Sequence, residues 1–478
     1  MRDALAAAGW SSAALDELLG RTYRTHLDRG ELAPVLRRTR DRGALATLAR
    51  LFVTGTAVAA ADARTAGVPD SWLRPADGGA SGRTDGPGSP DRGEVRAAVG
   101  LQPVAHDGQE VTVPHDLSRP AAGVQPDQVL GVGAASLTLA AATPRERVDR
   151  ALDLGAGCGV QALLLAGTAR AVTATDSNPR AAGYARLAGL LNDVPLDVRE
   201  GDLLGPVQGE RFDLVVSNPP FVVAPARRYT YRDSGFSGDD LSHQLVRQLP
   251  AVLDVQGLAV LLVNWLHVDG EDGDERVRSW VEGTGCDAWI VQRELAAPED
   301  YVTAWLRDTD EGEHFDSLYD EWLDHLTAHR VQAVAFGVLA LRRTDGPTST
   351  VLDVVDQPLA ETWGGQVRAH FAGRDLLRRD PMTVAWRLRQ DVRLTQVAAR
   401  TDDGWLAEHQ VLSQRDGLRW TGEVDLYGAT LLAGCDGTRP LGDLVAVLAA
   451  SAGLSTGEAA DQVVPVVRRL VEQGFLVP

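Results

Sequence analysis

The segment Ser217-Asn218-Pro219-Pro220-Phe221 combines residue types suited to holding a flat, neutral amino group. Asn218 supplies an amide acceptor and amide donors. Pro219 and Pro220 fix the backbone and remove two N–H donors, so that carbonyls alone face whatever lies beside them. Phe221 adds a flat apolar face on which a planar group can stack. A group held in this way keeps its hydrogens bonded and its lone pair turned towards an electrophile. The nitrogen of an amide or aromatic amine is a poor nucleophile, and no strong base stands beside it in the sequence. Orientation must therefore supply much of any rate. A purely structural Asn-Pro-Pro turn is the competing reading.

A second cluster is Asp153-Leu154-Gly155-Ala156-Gly157-Cys158-Gly159, which follows an apolar run and opens a helical one. Glycines at such a turn let the backbone bend sharply and approach a ligand more closely than side chains permit. A dinucleotide fingerprint requires glycine three residues after Gly157, where Val160 stands, so that motif is not met. Thr175-Asp176 closes the next apolar run, at the distance where an acidic residue of a βαβ unit bonds a ribose diol. Taken alone, Asp176-Ser177-Asn178-Pro179 reads equally as a helix cap. Gly201-Asp202 follows the third apolar run.

The elements that must position these residues alternate from about Asp127 to Arg343, the pattern of a doubly wound, mostly parallel α/β sheet. Ala151–Leu154, Ala171–Thr175, Leu196–Arg199, Phe212–Ser217 and Leu258–Val263 read as strands, with Gly337–Leu341 as a late addition. Val160–Leu165, Pro179–Leu191 and Leu241–Leu253 read as helices. Residues 1–118 form an N-terminal region. Its leucines Leu15, Leu18, Leu19, Leu32, Leu36, Leu45, Leu48 and Leu51 recur at helical spacing, and strands over Val95–Leu101 and Val111–Val113 flank the turn His106-Asp107-Gly108. Residues 76–93 are nearly all Gly, Ser, Asp, Pro, Ala and Arg and read as a disordered insertion. Residues 346–478 form a C-terminal region ending in helices at Leu441–Ala450 and Ala459–Gln473. Small α+β, winged-helix-like modules are expected at both ends of a domain spanning 119–345.

Composition narrows the chemistry further. All 47 Lys+Arg residues are arginine, which excludes P-loop and Schiff-base lysines. A net charge of −19 disfavours extended phosphate contacts without excluding a local basic patch. Cys158, Cys286 and Cys435 lie far apart and are odd in number, against a disulfide framework or cysteine-based zinc, which suits a cytoplasmic setting. No apolar run is long enough to cross a bilayer, and the acidic residues Asp3, Asp16 and Glu17 leave no secretion signal. His325 and His329 have zinc-compatible spacing but lack a Glu directly after the first His, and read as a polar helix face. Trp280, Trp289, Trp305 and Trp322 read as core or interface residues.

In order and spacing, Asp153–Gly159, Asp176, Asp202 and Asn218–Phe221 resemble the class I methyltransferases that carry an N-P-P-[FY] motif. These include release-factor glutamine methyltransferases and amino methyltransferases of nucleic acids. The resemblance covers roughly residues 120–345. Leu130-Gly131-Val132-Gly133 is similar to the segment these enzymes lay beside the methionine end of the cofactor. The whole chain looks like an actinobacterial methyltransferase family of uncertain substrate, with Tyr231-Arg232-Asp233 and Asn264-Trp265 among its recurrent segments. Cys435-Asp436-Gly437-Thr438-Arg439 resembles a PqqD-type winged-helix module.

The resemblance implies S-adenosylmethionine as cofactor, no metal, and one-step methyl transfer to a planar nitrogen. Asp153, Gly155, Gly157 and Gly159 would form the cofactor loop. Asp176 would hold the ribose, Asp202 the adenine amino group, and Asn218 would lie against the cofactor. Asn218, Pro219, Pro220 and Phe221 would orient the acceptor, and Tyr231, Arg232 and Asp233 either shape its pocket or form a solvated turn. The expected partner is a macromolecular substrate, a translation factor or RNA. A small-molecule acceptor and a non-catalytic scaffold are the alternatives, and intact glycines with an intact Asn-Pro-Pro-Phe speak against the scaffold.

Overall fold

The computed structural model describes residues 1–40, 43–76, 93–117, 127–225, 238–307, 314–402 and 404–478. Most of the expected insertion, and Tyr231, Arg232 and Asp233, lie outside the described residues. Residues 1–140, 147–288 and 294–350 form one compact unit, and residues 141–146, 289–293 and 351–478 a second.

The first unit is built on a sheet containing β1 (Val148–Leu154), β2 (Ala169–Asp176), β3 (Asp197–Glu200), β4 (Phe212–Ser217) and β5 (Leu253–Val268). They lie in the spatial order β3-β2-β1-β4-β5, each parallel to its neighbours. β6 (Val331–Arg343) joins β5 antiparallel, with Asn264 opposite Phe336. The last four residues of β1 are fully covered, as expected of a parallel strand with helices on both faces. The chain runs outward from β1 to β3 and then returns to β4 on the other side of β1. The carboxyl ends of β1 and β4 therefore flank a topological switch point, where open α/β sheets bind ligands.

Helices α1 (Val160–Leu165) and α2 (Pro179–Asn192) cover one face. All six residues of α1 are buried. Asn178 caps α2 by accepting from the Arg180 amide, Pro179 presets its first turn, and Asp193 ends it in a left-handed conformation. Two elements differ from the sequence expectation. The helix expected over Leu241–Leu253 is α3 (Asp240–Gln248) followed by the 3-10 turn Leu249–Ala251, because Pro250 has no N–H with which to continue it. The strand expected over Val95–Leu101 is two strands, Glu94–Ala97 and Gly100–His106. The first pairs with Val58–Ala59 and Leu73–Pro75, and the second switches partner to Gln109–His115.

The hairpin 100–115 turns at Asp107 and Gly108, both at positive φ (48° and 73°), the geometry that matches strand twist in a two-residue loop. Its Val104, Val111 and Val113 join Val160, Leu163, Leu164 and Ala188 in one hydrophobic cluster, so a shared core spans position 118. The N-terminal helices bury Leu15, Leu19, Leu48 and Leu51, whereas Leu32 is exposed. Later in this unit come α4 (Pro298–Arg307) and α5 (Phe315–Ala328).

The second unit carries the helix Gly364–Leu377, the hairpin Val392–Thr401 with Gly404–Gln414, and helices Leu426–Ala433, Leu441–Ala452 and Thr456–Glu472. Its closing strand Leu476–Val477 pairs antiparallel with Arg387–Leu388. Trp289 and His370 stack inside it, with ring centroids 4.3 Å apart. Among the described residues no helix is long and apolar enough to cross a membrane.

Candidate functional site

A crevice of about 780 Å³ opens over the carboxyl ends of β1, β2 and β4, within the size range of sites for nucleoside-sized ligands. Its first wall is the glycine loop. The Gly155 and Ala156 amides both donate to the Thr175 carbonyl at 2.9 Å, and the Gly157 amide donates to Asp176 Oδ2 at 2.8 Å. Gly155 and Gly157 sit at φ +76° and +54°, and a Cβ on either would project into open space. The loop thus presents bare backbone to the crevice. Gly159 works differently: a Cβ there would stand 3.0 Å from Ala185 Cα, so this glycine lets the loop pack on α2.

Asp176 lines the crevice at the end of β2. Its Oδ1 accepts from the Asn178 amide at 2.8 Å, and Asn178, not Asp176, caps α2. Burial pushes the Asp176 carboxyl above its ordinary range, and the Asn178 and Gly157 amides pull it back. Each oxygen accepts only one of these backbone bonds, which leaves lone pairs for a ligand's hydroxyls. Asp202 lines the crevice at the end of β3, beside Gly201, whose amide donates to the Asp176 carbonyl at 3.0 Å.

Asp153 is placed otherwise. It is 1% exposed, and its Oδ2 accepts from the Ala162 amide at 2.9 Å, so it braces the loop and α1 from behind. Burial, opposed by that hydrogen bond and reinforced by the nearby Asp176 charge, pushes its carboxyl up to about 7. Asp153 and Gly159 do not line the crevice, whereas Gly155, Gly157, Asp176, Asp202, Asn218, Pro219, Pro220 and Phe221 all do. Cys158 lines it too, but burial pushes its thiol up to about 12, which removes it as a nucleophile near neutral pH.

Ser217 Oγ donates to the Leu154 carbonyl at 2.8 Å and locks the end of β4 to that of β1. Asn218 follows at once, half-buried. Among the described residues no hydrogen bond engages its side chain, so its amide oxygen and N–H groups are available to a ligand. Phe221 is 6% exposed and packs against Phe336 (centroids 5.5 Å) and Trp305 (6.4 Å, edge-on). Trp305 itself lines the crevice, unlike Trp280, Trp289 and Trp322, which are core residues. The segment after Phe221 is pinned where the Val223 amide donates to Tyr301 Oη at 2.9 Å.

The segment 127–133 forms a strap over the opposite wall, with Asp127, Leu130 and Gly131 on the lining. Gln161 Nε2 donates to the Ser136 carbonyl at 2.7 Å and adds a polar lining group from α1. The charged groups on the described lining are Asp127, Asp176 and Asp202, with no Arg or His. Among the charged groups on that described lining a pyrophosphate would meet carboxylates and no cation, whereas a cationic sulfonium joined to a ribose finds compatible charge and hydroxyl acceptors. S-adenosylmethionine therefore fits the residues present: Gly155 and Gly157 could lie beside it, and Asp176 and Asp202 could accept from it. The His325 and His329 rings lie tilted by 47° with centroids 4.4 Å apart, and no metal-binding cluster occurs among the described residues.

Residues 123–263 match the methyltransferase small domain family, while residues 7–80 and 368–478 match two families described as domains of unknown function. The chain is 34% identical over 169 residues to a release factor glutamine methyltransferase of Xylella fastidiosa (strain Temecula1), covering 32% of this chain and 58% of that protein. A Geobacter sulfurreducens protein of the same name is 30% identical over 156 residues, covering 30% and 52% respectively. The chain thus spans little more than half the length of these relatives. A T. thermophilus 16S rRNA N2 methyltransferase, solved with AdoMet and guanosine, gives a TM-score of 0.29 at 18% identity, covering 49% of this chain and 60% of that one. The sheet with its glycine loop is a Rossmann-like fold of the methyltransferase type.

Proposed function

We propose that this chain is an S-adenosylmethionine-dependent N-methyltransferase whose acceptor is a planar amide nitrogen, the side chain of a glutamine in a translation factor. The observation that carries the reading is the Asn218 side chain. It stands at the switch point beside Pro219 and Pro220, free of hydrogen bonds among the described residues and facing the same crevice as the glycine loop. Glutamine is favoured over a phosphate-linked base because the described lining offers carboxylates and no cation. The release factor enzymes among its relatives point the same way. We also propose residues 1–118 and 346–478 as winged-helix-like accessory regions that bind the macromolecule, and a cytoplasmic setting, in keeping with three buried free cysteines.

The cofactor supplies an electrophilic methyl group on a positively charged sulfur. Asn218 Oδ1 accepts one acceptor N–H, and the Pro219 carbonyl accepts the other. This turns the nitrogen lone pair towards the methyl carbon. S-adenosylmethionine held beside Gly155 and Gly157 would supply the methyl group for that nitrogen and would leave as S-adenosylhomocysteine. The displaced proton passes to solvent, since Asn218 Oδ1 can accept its hydrogen bond but cannot take it up. Phe221 and Trp305 exclude water on one side, and Asp127, Asp176 and Asp202 provide the negative field in which a cation is held.

The test is Asn218→Ala, assayed for turnover and for S-adenosylhomocysteine affinity separately. Turnover falls by roughly 10²–10³-fold, the usual cost of losing one preorganised donor or acceptor at a reacting centre, while affinity stays within about threefold. Equal loss of both would place Asn218 in cofactor binding instead.

A further inference from the structure

We infer that Gln102 and Asp116, two residues of the N-terminal region that do not line the crevice, are positioning residues that set its affinity for the cofactor. The inference rests on the crevice being the S-adenosylmethionine site. Its structural basis is the way the strap 127–133 is held.

Among the described residues the strap pairs with no β-strand. Gln102, on the hairpin strand Gly100–His106, supplies a partner with its side chain. Its Oε1 accepts from the Val132 amide at 2.8 Å, and its Nε2 donates to the Val132 carbonyl at 3.1 Å. The primary amide thus imitates a strand residue, making both bonds a backbone neighbour would make. Gly131 makes room for it, since a Cβ there would lie 2.6 Å from Gln102 Oε1. Gly131 lines the crevice on its other side, so the amide sits directly behind the wall.

Asp116, just beyond the second hairpin strand, fixes the strap at Val129. The Asp116 amide donates to the Val129 carbonyl, and Asp116 Oδ2 accepts from the Val129 amide, both at 2.9 Å. The same carboxylate accepts from Arg180 Nε at 2.8 Å and from the Tyr184 hydroxyl at 2.6 Å. Arg180 and Tyr184 belong to α2, whose first residues Pro179 and Ala181 line the crevice. Asn178 Nδ2 closes the ring by donating to the Asp127 carbonyl at 2.9 Å. Two walls of the crevice are therefore tied together, in the main through the side chains of Gln102, Asp116, Arg180 and Tyr184, none of which lines it. A macromolecule that levers the N-terminal helices would change cofactor affinity through this clamp, and cofactor would change affinity for it by the same factor.

The test compares wild type, Gln102→Ala, Gln102→Glu and Gln109→Ala by calorimetric titration with S-adenosylhomocysteine. Hydrogen exchange at the strap amides is followed alongside. Gln109 lies on the same hairpin but bonds the Leu164 carbonyl, away from the strap, so it controls for general loosening. Gln102→Ala weakens binding roughly tenfold, since two hydrogen bonds that order the strap are lost. Gln102→Glu, which keeps the bond from the Val132 amide, falls between it and wild type. Gln109→Ala binds as wild type does. Exchange at the strap amides quickens in Gln102→Ala, while that of α2 is unchanged. A Gln102→Ala protein with lowered Tm but unaltered affinity would overturn the inference, as would equal weakening in Gln109→Ala. Absence of binding to wild type would instead defeat the cofactor reading itself.

Discussion

Asp153→Asn separates bracing from binding and has a magnitude that follows from burial. The folded chain pushes the Asp153 carboxyl up to about 7, against 3.8 for a solvated one. At about 1.4 kcal/mol for each tenfold change, ionising it inside the fold costs roughly 4 kcal/mol. The sign follows from proton counts. Between those two values the folded state binds a proton that the unfolded chain has released, so stability falls as pH rises through that window. Asparagine keeps an oxygen for the Ala162 amide and cannot ionise. Urea denaturation of both proteins from about pH 4 to about pH 8 should show wild type losing roughly 4 kcal/mol more than the variant. Taking the difference cancels other titrating groups, including His115, whose imidazole burial holds below its ordinary value. Parallel pH profiles would refute the claim that Asp153 is a buried brace whose charge is costly.

Two further substitutions test the walls. Gly157→Ala forces a residue with φ +54° to carry a Cβ that projects into the crevice. Calorimetry should show S-adenosylhomocysteine affinity falling at least tenfold, while the fold loses only about 1–2 kcal/mol for the left-handed alanine. Trp305→Ala removes the ring beside Phe221, and steady-state kinetics should show the acceptor KM rising with cofactor affinity unchanged. A Trp305→Ala protein that loses cofactor first would place this ring on the other side of the crevice.

The local parts of this architecture were legible in the sequence because their causes are local. The apolar run Phe212–Ser217 coincides with β4, and the positive φ of Gly155, Gly157 and Gly159 is what their type foretells. Adjacency misled in one respect. Asp153 stands two residues from Gly155, but strand pleating turns its side chain under α1 to reach the Ala162 amide. Trp305 gave no signal, since only the packing of α4 brings it beside Phe221 across 84 positions of chain. Gln102 and Asp116 were invisible for the same reason: a glutamine that stands in for a strand residue 30 positions away has no local signature. The expected long helix Leu241–Leu253 overlooked the stop written in Pro250.

The most direct test of the central claim uses methyl-labelled S-adenosylmethionine, purified protein and a lysate from cells lacking it. Labelled material is split between protease and ribonuclease digestion, and the labelled residue is identified by mass spectrometry. The expected label survives ribonuclease, is released by protease and sits on a glutamine side-chain nitrogen. Label lost to ribonuclease would move the acceptor to an RNA base, and label on carbon or oxygen would contradict the role given to Asn218.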